Sequence, residues 1–120
     1  MKEMVYSNRR IMEYLATGVL EGYEFRIVNY GTHPYAYVRL PKSHKYYGGN
    51  YCGMDIKCHG GLAYGQSEGD DYWIGWHYAH CGDYFGLLPF PSDKKWTTNE
   101  ILTDVYAVIK QLKAVQDGKI

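Results

Sequence analysis

Residues 22–40 read GYEFRIVNYGTHPYAYVRL and decide the fold, because two alternating runs flank a turn signal. In the first run Tyr23, Phe25 and Ile27 share one side, as in a strand with one face buried. The second run, 35–40, alternates in the same way, and residues 31–34 between the runs have turn composition. The stretch therefore predicts an antiparallel hairpin whose opposite side carries Arg26 and Arg39.

The second decisive stretch begins at Thr97-Thr98-Asn99-Glu100, where a hydroxyl residue precedes a glutamate by three positions. This spacing is the capping box that begins a helix. A single apolar stripe at helical spacing follows, formed by Ile101, Val105, Val108, Leu112 and Val115. We expect a helix from about Thr98 to Val115.

The remaining segments are shorter and more polar. Residues 54–58, MDIKC, predict a short third strand, and 65–71, GQSEGDD, predict a polar turn. Residues 72–78, YWIGWHY, predict an aromatic strand in which Trp73 shares a face with His77. Within 3–20, the spacing of Ile11, Leu15 and Val19 fits a weak helix, but Gly18 limits it, so the structure of this stretch stays open. Together these segments predict one α+β domain spanning residues 1–120, a small antiparallel sheet with the C-terminal helix packed on one face.

Composition excludes several classes of protein. The 120 residues hold 13 basic and 13 acidic side chains, a balance that argues against a binder of duplex nucleic acid. No apolar run approaches the roughly 18 residues of a membrane span, so no membrane partner is expected. Three cysteines (Cys52, Cys58 and Cys81) without a C-x-x-C motif predict free thiols in a reducing compartment. The expected location is the cytoplasm.

Tyrosine is unusually frequent, with 14 residues against 3 phenylalanines and 3 tryptophans. A buried tyrosine hydroxyl needs a hydrogen-bond partner, so a core alone would favour phenylalanine. Two interpretations stay open at this point. The tyrosines belong to a binding surface, or they cover the half-exposed faces of a small sheet.

The densest polar and aromatic segment is 72–84, YWIGWHYAHCGDY, which His59 could join across the sheet. His77, His80 and Asp83 are residue types that bind metals, but H-x-x-H-x-x-D is not a known zinc spacing. Cys81 follows His80 directly, and immediate neighbours rarely align a thiol with an imidazole. We therefore assign no metal ligands, no catalytic residues and no cofactor.

A pocket for a planar, charged small molecule fits the same residues better. Tryptophan and tyrosine rings supply stacking faces, arginine and lysine meet phosphate oxygens, and asparagine or aspartate reads donors on a base or ribose. The predicted ligand-binding residues are Arg26, Asn29, Arg39, Lys42, His59, Trp73, His77, Tyr78, His80, Asp83 and Tyr84.

Three blocks resemble a family of short proteins encoded by phages and prophages, mainly of Gram-positive hosts. The blocks are GTHPYAYVRLP at 31–41, HGGLAY at 59–64 and GWHYAHCGDY at 75–84. With K-W-T-T-x-E at 95–100, the resemblance covers about residues 22–112. The family carries no settled activity, so the resemblance implies an origin rather than a chemistry. At the position of His77 the family usually has an acidic residue, which argues against a shared metal or acid–base role there.

A phage origin favours a role against host defence, by analogy with compact phage proteins that sequester nucleotide-derived immune signals. The leading hypothesis is a non-enzymatic protein that captures a small nucleotide-like signal in the host cytoplasm, with a homo-oligomer as a further expectation. The alternative is a small hydrolase using His59, His77, His80 and Asp83, with or without a metal. A third hypothesis is a protein–protein inhibitor that uses a tyrosine-rich face.

Overall fold

The computed structural model describes residues 13–31, 33–79 and 94–118. Within them a five-stranded antiparallel sheet carries one long helix. Its elements are β1 Glu13–Leu20, β2 Tyr23–Asn29, β3 Pro34–Leu40, β4 Tyr64–Glu68, β5 Asp71–His77 and α1 Thr98–Gln116. The strand order is β1-β2-β3-β5-β4, and α1 packs across β1, β2 and β3. The predicted α+β fold is confirmed.

The core lies between α1 and one face of the sheet. The predicted hairpin is present, with Phe25 paired to Val38 across β2 and β3. The apolar stripe of α1 is buried, and Leu112, one of its residues, has no exposed surface. Because inward positions alternate along each strand, the remaining residues of β2, β3 and β5 point to the other side of the sheet. We call that other side the second face.

The beginning of α1 has the predicted capping box. The Thr97 hydroxyl accepts a hydrogen bond from the Glu100 backbone N–H at 3.2 Å, and the Glu100 carboxylate accepts one from the Thr97 N–H at 3.0 Å. Lys94 adds an ion pair to Glu100 at 2.7 Å. The hydrogen bond from Lys94, followed by those from Thr97, lowers the pKa of Glu100 from 4.5 to about 2.

This lowered pKa predicts a defined pH window for the contribution of Glu100 to stability. The contribution is complete above the unfolded value of 4.5 and is lost as the pH falls toward about 2. We expect the difference in free energy of unfolding between wild type and Glu100→Gln, measured by urea unfolding, to be constant above pH 4.5 and to shrink below it. In a Lys94→Gln background the pKa of Glu100 should lie closer to 4.5, so the pH range over which the contribution of Glu100 is lost should narrow. A difference between wild type and Glu100→Gln that does not change with pH would contradict this account.

The sequence leaves the structure of residues 3–20 undecided, with a spacing that fits a weak helix; in the described part of that stretch residues 13–20 form β1. Residues 1–12 lie outside the described residues. A spacing of four places residues on one side of a helix, but it also places them on one side of a strand, so the pattern fits both. β1 pairs with β2 through the tight turn at Glu21 and Gly22, both at positive φ. That turn geometry joins strands of a hairpin.

The third strand predicted at 54–58 is wrong. Ile56 is buried, but the segment hydrogen-bonds to the helix instead of to a strand. The Gln111 side chain accepts from the Lys57 N–H at 2.7 Å and donates to the Lys57 carbonyl at 2.7 Å. One side chain thus satisfies both backbone groups of Lys57, and no neighbouring strand is needed there.

The polar turn predicted at 65–71 is mostly strand. Residues 64–68 form β4, and the turn is confined to Gly69 and Asp70, with Gly69 at positive φ. β4 is an edge strand and its outer residues are exposed. Edge strands bury little surface, so polar and charged residues are common on them, which is why this composition resembles a turn.

Candidate functional site

The second face of the sheet holds a cleft lined by residues from all five strands. It encloses about 80 Å³. Its walls are Tyr14, Arg26, Val28, Tyr30, Tyr37, Tyr64, Glu68 and Trp73. Complete small-molecule sites occupy roughly 300–1,000 Å³, so this cleft has room for one planar group while the rest of a ligand lies on the surface.

Tyr37 forms one wall of the cleft and lies against Gly75 on the neighbouring strand. A Cβ atom at Gly75 would lie 2.6 Å from the Tyr37 ring, so only glycine leaves space for the ring there. The Tyr37 and Tyr30 hydroxyl oxygens are 3.4 Å apart, and Tyr64 meets the Tyr37 ring edge-on with centroids 5.3 Å apart. Burial is the largest cause that raises the pKa of Tyr37, so its hydroxyl stays protonated and can donate.

Arg26, Trp73 and Glu68 form the polar part of the cleft. The Arg26 guanidinium carbon lies 4.1 Å from the centroid of the Trp73 ring, a cation–π contact. Its Nη1 atom lies 3.6 Å from a carboxylate oxygen of Glu68. An arginine donor and a carboxylate acceptor therefore stand side by side.

The indole N–H of Trp73 is the least satisfied group at this site. Trp73 is only 3% exposed, and its Nε1 atom has no hydrogen-bond partner within the described part of the chain. Buried polar groups in native proteins are nearly always paired, so an unpaired donor beside a cleft needs an explanation. An acceptor carried by a ligand supplies one.

The other predicted cations are balanced by carboxylates. Arg39 Nε lies 3.1 Å from Glu24 and its Nη1 lies 3.8 Å from Asp71. Lys42 Nζ lies 3.8 Å from Asp70. Both predicted cations are therefore accompanied by carboxylates, and neither of them lines the cleft.

Two further predicted residues lie near the β2–β3 turn. The Asn29 side chain accepts a hydrogen bond from the Gly31 N–H at 2.6 Å, which stabilises the turn. His77 contacts two other aromatic rings, with its centroid 5.7 Å from His33 and 5.8 Å from Tyr35. Neither Asn29 nor His77 lines the cleft.

His59 and Tyr78 lie on the helix side of the sheet, away from Trp73. Their rings stack with centroids 4.9 Å apart. The Tyr78 hydroxyl accepts from Trp76 Nε1 at 3.0 Å and donates to an Asp104 oxygen at 2.6 Å. Burial and the Asp104 hydrogen bond raise the pKa of Tyr78. The predicted residues therefore do not line one pocket, since His59 and Tyr78 contribute to the core side.

Thiol and metal chemistry find little support among the described residues. Cys52 and Cys58 are free thiols, and burial raises the pKa of Cys58 to about 12, which disfavours the nucleophilic thiolate. Within 13–31, 33–79 and 94–118 no three His, Cys, Asp or Glu side chains cluster to hold a metal ion. His80, Cys81, Asp83 and Tyr84 lie outside the described residues.

Six cleft residues were not among the predicted site residues: Tyr14, Val28, Tyr30, Tyr37, Tyr64 and Glu68. Three of them lie on β1 and β4, the two strands that the sequence did not reveal. The signal that could have found Tyr30 is the hairpin alternation, which places it two positions after Val28 on the same face.

Comparisons of the chain with protein-family models, with curated proteins and with solved structures find no match. The resemblance to phage proteins therefore stays a prediction. In the described part of the chain, no helix combines the length and the apolar character needed to cross a membrane.

Proposed function

We propose that the protein binds a small nucleotide-like ligand on the second face, with the planar group of the ligand in the cleft, and does not convert it. The observation that carries this proposal is the buried indole N–H of Trp73, which lacks an acceptor among the described residues. A ligand carbonyl or ring nitrogen would satisfy it. Because this N–H is buried, side chains around Trp73 must move for a ligand to reach it.

The surrounding side chains support a planar ligand with acceptor atoms. Tyr14, Tyr37 and Tyr64 give the cleft aromatic walls, and base–aromatic stacking contributes about 1–3 kcal/mol per base. Arg26 and the tyrosine hydroxyls are hydrogen-bond donors. A donor-rich aromatic cleft complements a heterocycle with carbonyl or ring-nitrogen acceptors.

Binding without conversion follows from the same chemistry. The Tyr37 hydroxyl keeps its proton because burial raises its pKa, so it donates rather than acts as a base. The carboxylate of Glu68, 63% exposed, faces the Arg26 guanidinium. These groups hold and orient a ligand, and none of them is an activated nucleophile.

The resemblance to phage proteins extends the proposal to a role. A protein that captures a nucleotide-derived signal in the host cytoplasm lowers the free concentration of that signal and so weakens host defence. Assembly into a homo-oligomer is a further prediction. The hydrolase and the protein–protein inhibitor are the competing functions, and the experiment below separates all three.

Depletion of free nucleotide tests the proposal. The full chain is incubated with cyclic dinucleotides, cyclic mononucleotides and ADP-ribose, filtered, and then heat-denatured before chromatography of the released ligand. We expect one compound to disappear from the filtrate and to reappear intact after heating. Trp73→Phe and Arg26→Gln should each reduce capture at least tenfold, whereas Tyr106→Phe on the outer side of α1 should not.

Two results would contradict the proposal. Recovery of a cleaved product would favour the hydrolase. Absence of depletion for every compound would favour protein binding. Circular dichroism and thermal unfolding of each variant distinguish a lost site from a lost fold, and Arg26→Gln, a partly exposed position, is the variant least dependent on the core.

A further inference from the structure

We propose that the planar group taken by the cleft is a guanine base, an inference that rests on the proposed function and names its ligand class. Arg26 and Glu68 form an ion pair at the cleft, with Arg26 Nη1 3.6 Å from Glu68 Oε1. A cationic donor beside an anionic acceptor matches a ring whose edge carries acceptors next to donors. Guanine has such an edge.

Guanine presents O6 and N7 as adjacent acceptors, and an arginine fork binds both in the most frequent specific contact to this base. Next to O6 the ring presents N1–H and the exocyclic N2 amino group as donors. A carboxylate has two oxygens that accept these two donors together. Arg26 would therefore bind the O6/N7 side and Glu68 the N1/N2 side, in the order in which the two side chains stand.

The indole N–H of Trp73 strengthens this assignment. Trp73 borders the same cleft and holds a buried donor without an acceptor among the described residues. A base with a free lone pair near the arginine contact satisfies both Arg26 and Trp73. Guanine meets this condition because O6 is a carbonyl oxygen with two lone pairs, so it can accept from Arg26 and from Trp73 while N7 accepts the second donor of the arginine fork.

Other bases fit the same groups less well. Adenine carries an amino group at the position of O6, so a donor would face the donors of Arg26 and Trp73. Adenine also lacks the N1–H that Glu68 would accept. Uracil offers one carbonyl to Arg26 and one N–H to Glu68, and its single ring has a smaller stacking area than guanine. Hypoxanthine differs from guanine only by the missing N2 amino group and therefore isolates the contact to Glu68.

The Arg26–Glu68 pair is not locked in its present geometry. Its length of 3.6 Å exceeds the roughly 2.7–2.9 Å of a charge-assisted hydrogen bond. The two side chains are 30% and 63% exposed. Opening the pair to admit a base therefore sacrifices a weak surface contact and replaces it with directed hydrogen bonds.

Calorimetric titration of the full chain with GMP, IMP, AMP and UMP tests the inference. We expect GMP to bind at least tenfold more tightly than AMP and several-fold more tightly than IMP. Glu68→Gln should remove most of the preference for GMP over IMP. Glu24→Gln, which alters a carboxylate of the second face that pairs with Arg39 outside the cleft, should keep that preference.

The outcomes separate this inference from the proposed function. Equal binding of all four monophosphates, weakened by Trp73→Phe, would overturn the guanine assignment and leave nucleotide binding standing. Tighter binding of AMP than GMP would do the same. Absence of binding for the four monophosphates together with absence of depletion in the filtration assay would overturn both.

Discussion

Replacing Leu112 with alanine is expected to lower the free energy of unfolding by about 2–4 kcal/mol, the usual cost of removing a fully buried leucine side chain. Leu112 has no exposed surface and lies on the stripe of α1 that packs on the sheet. Its carbonyl also accepts a hydrogen bond from His44 Nε2 at 2.8 Å, which ties the loop after β3 to the helix. The cavity would therefore lie where sheet, helix and loop meet.

Tyr106→Ala is the matched control on the same helix, because Tyr106 is 43% exposed. Urea unfolding of both variants, followed by far-ultraviolet circular dichroism, gives the two free energies. A loss below about 1 kcal/mol for Leu112→Ala would fall under the range for buried leucines and would contradict the packing of α1 described here.

Gly75→Ala is expected to destabilise the protein by about 1–3 kcal/mol, the range for added volume in a packed site. The new Cβ would lie 2.6 Å from the Tyr37 ring and 2.8 Å from the Ala36 carbonyl oxygen. The ring can rotate away, but the carbonyl belongs to the paired strand β3 and cannot move without disturbing the register. Displacement of Tyr37 would also change one wall of the cleft and weaken ligand capture.

Gly53→Ala is the control for this substitution, since a Cβ there meets nothing within 4 Å and Gly53 is not at positive φ. It should leave the free energy of unfolding nearly unchanged. The double variant Gly75→Ala/Tyr37→Ala should remain less stable than Tyr37→Ala alone, because the contact with the Ala36 carbonyl persists. Equal stability of those two variants would show that the backbone contact has no cost.

The elements predicted correctly are those whose burial leaves a regular pattern in the sequence. β2 and β3 alternate because one of their faces packs on α1, and α1 has its stripe because the sheet covers it. The capping box marks the beginning of α1 through local hydrogen bonds alone. These patterns can be read from the local sequence without knowing which distant segments pack together.

The elements that were missed are the edges of the sheet and the segment 54–58. Edge strands bury less, so the alternation in β1 and β4 is weak and polar residues obscure it. Segment 54–58 alternates as a strand does, but its backbone partner is Gln111, 54 residues away in sequence from Lys57. No local pattern contains that information.

The site was partly predictable for the same reason. Arg26 and Trp73 were identified because they lie on the outward positions of well-defined strands. Tyr78 is five positions from Trp73, and an odd separation in a strand places two side chains on opposite faces. The alternation of the strand therefore argued against placing Trp73 and Tyr78 in the same binding site. Tyr14 and Glu68 required the order of the strands, which brings both edges toward Arg26.

The central claim is that a ligand reaches the unpaired indole N–H of Trp73 on the second face. Nuclear magnetic resonance of the ¹⁵N-labelled protein observes the three tryptophan indole N–H signals separately, and Trp73→Phe assigns one of them. Addition of the captured nucleotide should move the Trp73 signal downfield as its proton gains an acceptor. The chemical shift of the Trp76 signal should not change, because that N–H already donates to Tyr78 on the helix side. A shift of Trp76 with Trp73 unchanged would contradict the account.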